Sequence, residues 1–358
     1  MMKQSSRPPL RVGVIGAGRM GKNHCRVFTQ LRHAELVGVC ERNMQVGVAI
    51  ARQYEAPFYA SVDELLDNVD AVSVAVPTPF HFDVATRCME RGIHLFVEKP
   101  IAATTEEAEE LATRAEASNL VVQVGHIERF NPVYAELKNV LEEMTPLAIN
   151  FRRLSPYAGS NTDVDVVLDL MIHDIDLVLN LLGDVPTDIY AAGVTAFSGS
   201  LDHCAATLRL PGAPLTTLTA SRLTEQKVRQ IEVTALEAYV VADLLNKTIK
   251  VHRSMTGEYI HQASRSVKYR QESIVEAINV PSAEPLFLEL QHFVECVQQG
   301  SDPLVSARDG ANALRVALEI RATAGRDLLS LATSRQLHQN GMTVPNTLQS
   351  RPSAVEAR

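Results

Sequence analysis

The sequence predicts an α/β Rossmann domain with a parallel, doubly wound sheet, followed by an α+β domain with a large, mostly antiparallel sheet. Continuous apolar strands alternate with amphipathic helices over about the first 125 residues, which is typical of a parallel sheet covered on both faces. A glycine-rich turn joins the first strand to the first helix. Beyond residue 125, runs that alternate between apolar and polar residues indicate antiparallel strands.

The first domain is expected to cover residues 1–127, with strands and helices in alternation. Its predicted strands are residues 11–15, 36–40, 71–76, 94–97 and 120–124. Helices are predicted at residues 20–31 and 80–91, the second ended by Gly92. Ser61 with Glu64, and Thr104 with Glu107, have the spacing of capping boxes, so two further helices are expected to begin there.

The second domain is expected to cover residues 128–330. Its predicted helices are residues 132–143, 166–182, 286–299 and 307–324. Its predicted strands are residues 147–154, 189–197, 205–210, 216–221, 227–234 and 239–243. A sheet with one uncovered face favours a homodimer or homotetramer packed sheet to sheet. Residues 331–358 have no periodicity and are expected to form a separate C-terminal tail.

Composition limits the classes of partner. The chain has 358 residues and a formal net charge of −8, so we expect neither nucleic acid nor an anionic membrane as a partner. The five cysteines are scattered without metal-ligand spacing, which favours a reducing, cytoplasmic location and no metal. The first apolar run is too short for a signal peptide or a membrane span.

The glycine-rich turn is a candidate dinucleotide site. Gly16, Gly18 and Gly21 form a GxGxxG motif between a β-branched strand and a helix, where the backbone can approach a pyrophosphate. Glu41 ends the second strand 20 residues after Gly21, at the place where an acid accepts hydrogen bonds from the adenine ribose. Glu41 favours NAD, whereas the adjacent Arg42 leaves NADP open as the less expected cofactor.

Two loops follow the fourth and fifth strands, at the edge where ligands bind in open α/β sheets. One is residues 76–79, and the other is Glu98-Lys99-Pro100. Lys99 is therefore expected in the cleft beside the nicotinamide, although a lone lysine is commonly a surface residue. The residues expected at the cofactor are Gly16, Gly18, Arg19, Met20, Gly21, Glu41, Arg42, Pro77, Thr78, His81, Glu98 and Lys99.

A short polar stripe runs along the predicted helix 166–182. Asp169, His173, Asp176 and Asn180 follow at spacings of four, three and four residues and should share one face. A solvated stripe usually carries long charged side chains, and this one has none. Short acids beside an imidazole indicate a site, with a solvated face as the open alternative.

Together, Glu98-Lys99-Pro100 and Asp169-x-x-x-His173-Asp174 resemble the glucose–fructose oxidoreductase / inositol dehydrogenase / MocA (Gfo/Idh/MocA) family, over about residues 11–324. The resemblance implies that Lys99 and His173 are catalytic and that Asp169 positions the substrate. It also implies oxidation of a cyclic polyol, sugar or nucleotide sugar. Residues 125–132 and 170–177 resemble the branch containing UDP-N-acetylglucosamine 3-dehydrogenases, which make a 3-keto sugar for a partner aminotransferase in lipid A biosynthesis.

The chemistry of these side chains fits alcohol oxidation. With a reference pKa near 6.5, His173 can accept the hydroxyl proton, while Lys99 stabilises the developing alkoxide. The residues expected at the substrate are Lys99, Arg129, Asn131, Arg153, Tyr157, Asp169 and His173. A free sugar or an inositol-like polyol remains an alternative substrate. A protein that senses NAD without chemistry is a further alternative.

Overall fold

The computed structural model describes residues 8–157, 164–261, 266–326 and 329–330, so the predicted tail lies outside it. The first domain contains a six-stranded parallel sheet with the strand order β3-β2-β1-β4-β5-β6. Both predicted domain classes are confirmed. The strands of the first sheet are β1 (Leu10–Ile15), β2 (Ala34–Cys40), β3 (Phe58–Tyr59), β4 (Ala71–Val74), β5 (His94–Glu98) and β6 (Val122–Gly125).

Helices lie between these strands as expected, with two local differences. Thr104 and Glu107 form the predicted capping box, whereas the Ser61 side chain makes no capping hydrogen bond, so the box predicted there is wrong. One helix was not predicted, and its N-cap Asn43 accepts hydrogen bonds from the next turn. The helices are α1 (Arg19–Gln30), α2 (Met44–Gln53), α3 (Val62–Leu66), α4 (His81–Glu90) and α5 (Thr105–Glu116).

The second sheet has nine strands in the order β14-β13-β12-β11-β7-β10-β9-β8-β15. Only the pairs β10–β7 and β15–β8 are parallel. Its first strand is β7 (Pro146–Leu154), preceded by α6 (Pro132–Leu141) and followed by α7 (Ile172–Leu182). The others are β8 (Asp188–Thr195), β9 (His203–Arg209), β10 (Leu215–Ser221), β11 (Val228–Ala235), β12 (Tyr239–Asp243), β13 (Thr248–His261), β14 (Ser266–Asn279) and β15 (Leu329–Ser330).

One face of the large sheet is covered and the other is open. Phe151 and Ile231 belong to a core that also contains Ile175 of α7. On the opposite face, Tyr190 and Leu215 are 64% and 59% exposed. Polar side chains such as Asn150 and Glu232 lie on the same face as these exposed residues.

The last helices, α8 (Pro285–Gln299) and α9 (Ala307–Arg326), connect the two domains. Leu290 and Phe293 of α8 pack in the core of the first domain with Phe28 and Phe96. The chain therefore returns to the Rossmann domain after building the second sheet, and this holds one domain against the other. Across the described ranges, every helix is too short or too polar to cross a membrane.

Candidate active site

The glycine-rich turn leaves room for a pyrophosphate. Gly16 has a φ of +94°, and a Cβ there would lie 2.7 Å from the carbonyl carbon of Ala75. A Cβ on Gly21 would lie 1.8 Å from the Gly16 oxygen, whereas Gly18 faces open space. Helix α1 starts at this turn without a side-chain cap, so its first N–H groups are available to an anion. Arg19 is exposed beside it, and Met20 is half-buried.

Glu41 is fixed at the end of β2. Its carboxylate accepts hydrogen bonds from the backbone N–H groups of Ala17 at 2.7 Å and Asn43 at 2.8 Å. This places a negative charge beside the glycine turn, where it favours the hydroxyls of an NAD ribose and repels a 2′-phosphate. The neighbouring Arg42 is exposed.

In the loop after β4, Pro77 is exposed and Thr78 is half-buried, but His81 does not face the surface. The His81 ring is buried, with Nδ1 2.8 Å from the Pro100 carbonyl and Nε2 2.8 Å from the Val76 carbonyl. Burial lowers the pKa of this imidazole. His81 thus ties the two strand-end loops together, so its predicted contact with the cofactor has no support in this geometry.

Glu98 also points inward. Its carboxylate lies 3.0 Å from His24 Nε2, and the His24 Nδ1 lies 2.6 Å from the Ser73 hydroxyl. Burial alone would raise the pKa of Glu98, but the His24 hydrogen bond and the Lys99 charge hold it below its ordinary value. Glu98 therefore anchors the loop that carries Lys99, and its predicted contact with the cofactor has no support in this geometry.

Lys99 joins the first domain to the second. Its Nζ donates a 2.7 Å hydrogen bond to the carbonyl oxygen of Asp169 and lies 3.8 Å from the Asp169 carboxylate. Burial lowers the pKa of Lys99, and the opposite charges of Asp169 and Glu98 partly offset that effect. The ammonium is therefore held by one acid and one carbonyl, with N–H donors left for a ligand.

His173 is one helical turn beyond Asp169. One π-helical turn, Val167–Met171, leads into α7, and π turns of this kind are frequent at functional sites. Within the described residues, the buried Nδ1 of His173 has no hydrogen-bond partner. Burial, followed by the charges of Lys99 and Arg153, lowers the pKa of His173 well below its ordinary value. The imidazole is therefore neutral at pH 7 and able to accept a proton.

The predicted polar stripe does not act as one surface. Asp169 and His173 face Lys99, but Asp176 is buried and accepts hydrogen bonds from Arg129. Asn180 accepts a 2.7 Å hydrogen bond from the Tyr134 hydroxyl. The second half of the stripe therefore holds α7 against the preceding segment.

Three residues predicted to bind substrate are occupied by the protein itself. Arg129 makes bonds of 2.7 and 3.0 Å to Asp176, and Arg153 makes bonds of 2.9 and 2.6 Å to Asp174. The Asn131 side chain caps α6. A substrate role for Arg129, Asn131 and Arg153 therefore has no support here, because their polar groups are already bonded. Tyr157 remains exposed, with its ring 5.0 Å from that of Phe197.

Sequence reasoning missed His126 and Arg229, whose charges act on His173, and Lys227, which lies two residues before Arg229. His126 is fully buried with neither ring nitrogen bonded within the described residues, and its charge state affects His173. Lys227 directly precedes β11, and Arg229 is the second residue of that strand. The motif beginning at Gly125 pointed toward His126, whereas the two cations are placed by strand pairing that the sequence does not display.

Comparison with known proteins agrees with this geometry. Residues 10–126 match the profile of an oxidoreductase family with an NAD-binding Rossmann fold, and residues 151–241 match the GFO/IDH/MocA C-terminal domain. The UDP-N-acetylglucosamine 3-dehydrogenase of Acidithiobacillus ferrooxidans is 31% identical over 312 residues, covering 87% of this chain and 96% of that protein. This chain belongs to the Gfo/Idh/MocA oxidoreductase family. It is an NAD-binding sugar oxidoreductase.

Other relatives of this Gfo/Idh/MocA oxidoreductase act on polyols. The myo-inositol 2-dehydrogenase of Thermotoga maritima is 25% identical over 325 residues, covering 85% of this chain and 93% of that protein. A structure of the A. ferrooxidans enzyme superimposes with a TM-score of 0.81 at 30% identity, covering 90% and 99% of the two chains. The scyllo-inositol dehydrogenase of Lactobacillus casei, solved with NAD(H) and scyllo-inositol, has a TM-score of 0.74 at 20% identity, over 89% and 98%.

Proposed function

We propose that this enzyme oxidises the 3-hydroxyl of UDP-N-acetylglucosamine to a ketone with NAD as the oxidant. The observation that carries the chemistry is the 2.7 Å hydrogen bond from Lys99 of the first domain to the Asp169 carbonyl of the second, one helical turn before His173. The substrate is supported by the 31% identical relative, which matches over almost its whole length. Two inositol dehydrogenases that match over a similar length are 25% and 26% identical.

His173 is proposed as the general base. Its neutral imidazole takes the proton of the 3-hydroxyl, while the C3 hydrogen leaves as a hydride. Bound NAD supplies the acceptor for that hydride. Lys99 donates a hydrogen bond to the same oxygen and stabilises the negative charge that develops there. Asp169 keeps the Lys99 ammonium in place through its carbonyl and its carboxylate.

The product would be a 3-keto nucleotide sugar. A ketone beside an N-acetyl group is a substrate for amination, so we propose that an aminotransferase consumes it, as in lipid A biosynthesis. All five cysteines are free and buried, which supports a reducing, cytoplasmic location. The open face of the large sheet supports a homodimer or homotetramer.

Turnover with a substrate panel tests this proposal. Purified enzyme is incubated with NAD and, separately, UDP-N-acetylglucosamine, free N-acetylglucosamine and myo-inositol, and reduced nicotinamide is followed by absorbance. We expect turnover with the nucleotide sugar and increased signal when an aminotransferase removes the ketone. UDP alone should raise the melting temperature, because it occupies part of the same site.

The same measurements distinguish the proposed enzyme from two alternative functions. Turnover of myo-inositol with no thermal shift by UDP would replace the proposal with a free-polyol dehydrogenase. Tight NAD binding without turnover of any sugar would favour an NAD-sensing protein.

A further inference from the structure

Two arginines face each other where β11 pairs with β7. Arg229 lies directly opposite Arg153 in the strand register. Arg229 shares its sheet face with Ile231, which belongs to the core beneath α7. Like charges directly opposite each other destabilise a sheet unless an acid joins them. Glu128 is that acid, because its Oε1 lies 2.8 Å from Arg153 and 3.2 Å from Arg229.

The acids of this cluster do not balance its cations. Asp174 is engaged by two bonds from Arg153, and Glu128 is shared between the two arginines. Arg229, with a side chain 32% exposed, therefore keeps guanidinium N–H groups without an acid among the described residues. Lys227 is exposed, and within the described ranges it forms no ion pair with a carboxylate. Positive charge is therefore exposed to solvent at the N-terminal end of β11.

The surplus charge lies near the proposed base. The charge of Arg229 contributes to the lowered pKa of His173, so it acts on the proposed base. The pKa of Lys227 is also lowered, first by the charge of Arg229 and then by burial, with a smaller effect of Arg19 from the glycine turn. Glu128 links Arg229 to Arg153, and Arg153 is bonded to Asp174, the residue that follows His173. The open positive charge therefore lies close to the proposed base, in a chain whose net charge is −8.

We propose that Lys227 and Arg229 bind the diphosphate of the nucleotide-sugar substrate. The assignment rests on the proposed function. It gives the diphosphate two cationic partners in place of Arg129 and Arg153, which are already bonded to acids of the protein. A guanidinium can hold two phosphate oxygens at once, while a lysine ammonium contributes a point charge. With the diphosphate bound by Lys227 and Arg229, the attached sugar extends toward Lys99 and His173.

Binding measurements on the NAD-loaded enzyme test the assignment. The affinity for UDP is measured by calorimetry in the wild type and in Lys227→Gln, Arg229→Gln and Arg229→Lys. We expect each glutamine variant to weaken UDP binding by about tenfold or more, and the lysine variant to lose less. Lys250→Gln, an exposed lysine on the outer face of β13, is the matched control and should bind UDP as the wild type does.

NAD affinity and melting temperature are measured for the same variants. The assignment predicts NAD affinity within about twofold of the wild type and an unchanged fold. Wild-type UDP affinity in both glutamine variants would overturn the assignment and leave the proposed function standing. Weaker binding of NAD with UDP unaffected would show that the cations serve the cofactor, which also overturns it. Wild-type enzyme that binds no UDP would overturn the proposed function, and the assignment with it.

Discussion

The Nζ of Lys99 donates a 2.7 Å hydrogen bond to the carbonyl oxygen of Asp169, one helical turn before His173. Lys99 directly follows β5 of the first domain, and Asp169 lies in the π-helical turn of the second. A π turn departs from the regular bonding of an α-helix, which makes its carbonyls suitable partners for other groups. This contact holds the lysine ammonium at the helical turn that precedes His173.

The first prediction concerns the protonation of His173. Burial and the Lys99 cation both lower its pKa, so Lys99→Met should raise the pKa of His173 toward its ordinary value. The charged form then appears at a higher pH than in the wild type. An NMR titration of the ring measures this, with the exposed Lys138→Met as control. An unchanged or lower pKa in Lys99→Met would show that the two groups do not interact.

The second prediction concerns cofactor choice. Glu41→Gln keeps an oxygen acceptor for the glycine turn but removes the charge that repels a 2′-phosphate. The ratio of kcat/KM for NAD to that for NADP should fall by about tenfold or more. Steady-state kinetics with both cofactors measure the ratio. The exposed Glu35→Gln on β2 should leave it unchanged, and an equal shift in both variants would argue against a role for Glu41.

The third prediction separates structural from substrate-binding arginines. Arg153→Met leaves Asp174 buried without its partner and leaves Glu128 with Arg229 as its remaining cation, so the free energy of unfolding should fall by about 3–5 kcal/mol. Arg152→Met removes a partly exposed pair with Glu232 on the other face and should cost under about 1 kcal/mol. Denaturant unfolding compares the two. Normal stability with a raised KM in Arg153→Met would restore its predicted substrate role.

The fourth prediction concerns a buried acid on α8. Burial, with the like charges of Glu98, Asp176 and Glu128, raises the pKa of Glu289 well above its ordinary value. Above pH 4.5, the folded state therefore keeps a proton on Glu289 that the unfolded chain has lost. The stability contributed by this proton is complete below pH 4.5 and is lost as the pH rises toward the folded-state pKa.

Glu289→Gln removes this pH dependence, so the variant should exceed the wild type in stability by about 1 kcal/mol or more at pH 8 and by less at pH 5. Unfolding at the two pH values measures the difference. Glu295→Gln on the same helix should change little. A variant less stable than the wild type at pH 8 would mean that the Glu289 carboxylate is ionised and paired.

The fold was predictable where local pattern and tertiary structure agree. Apolar runs between amphipathic helices identified β4 and β5, and alternation identified most of the second sheet. Helix α2 was missed because its glycine and β-branched residues have low helix propensity, which the Asn43 cap and buried Ala51 overcome. The hairpin β13–β14 was missed because its side chains are largely polar and the strands are defined by mutual pairing.

In the candidate site, only the residues that belong to sequence motifs could be predicted. Gly16, Lys99 and His173 were found because each has a characteristic spacing or strand-end position. The sequence could not show that Arg153 pairs with Asp174, because that contact depends on how α7 packs on β7. The position of Arg229 opposite Arg153 likewise follows from the pairing of β11 with β7.

The most direct test of the account is the rate at which reduced nicotinamide forms in a single turnover of NAD-loaded enzyme with UDP-N-acetylglucosamine. Lys99→Met and His173→Asn should each lower that rate by about a hundredfold or more. The double variant should lose far less than the product of the two losses, because both groups act on one oxygen. Wild-type rates in either single variant, with its fold and NAD affinity intact, would contradict the account.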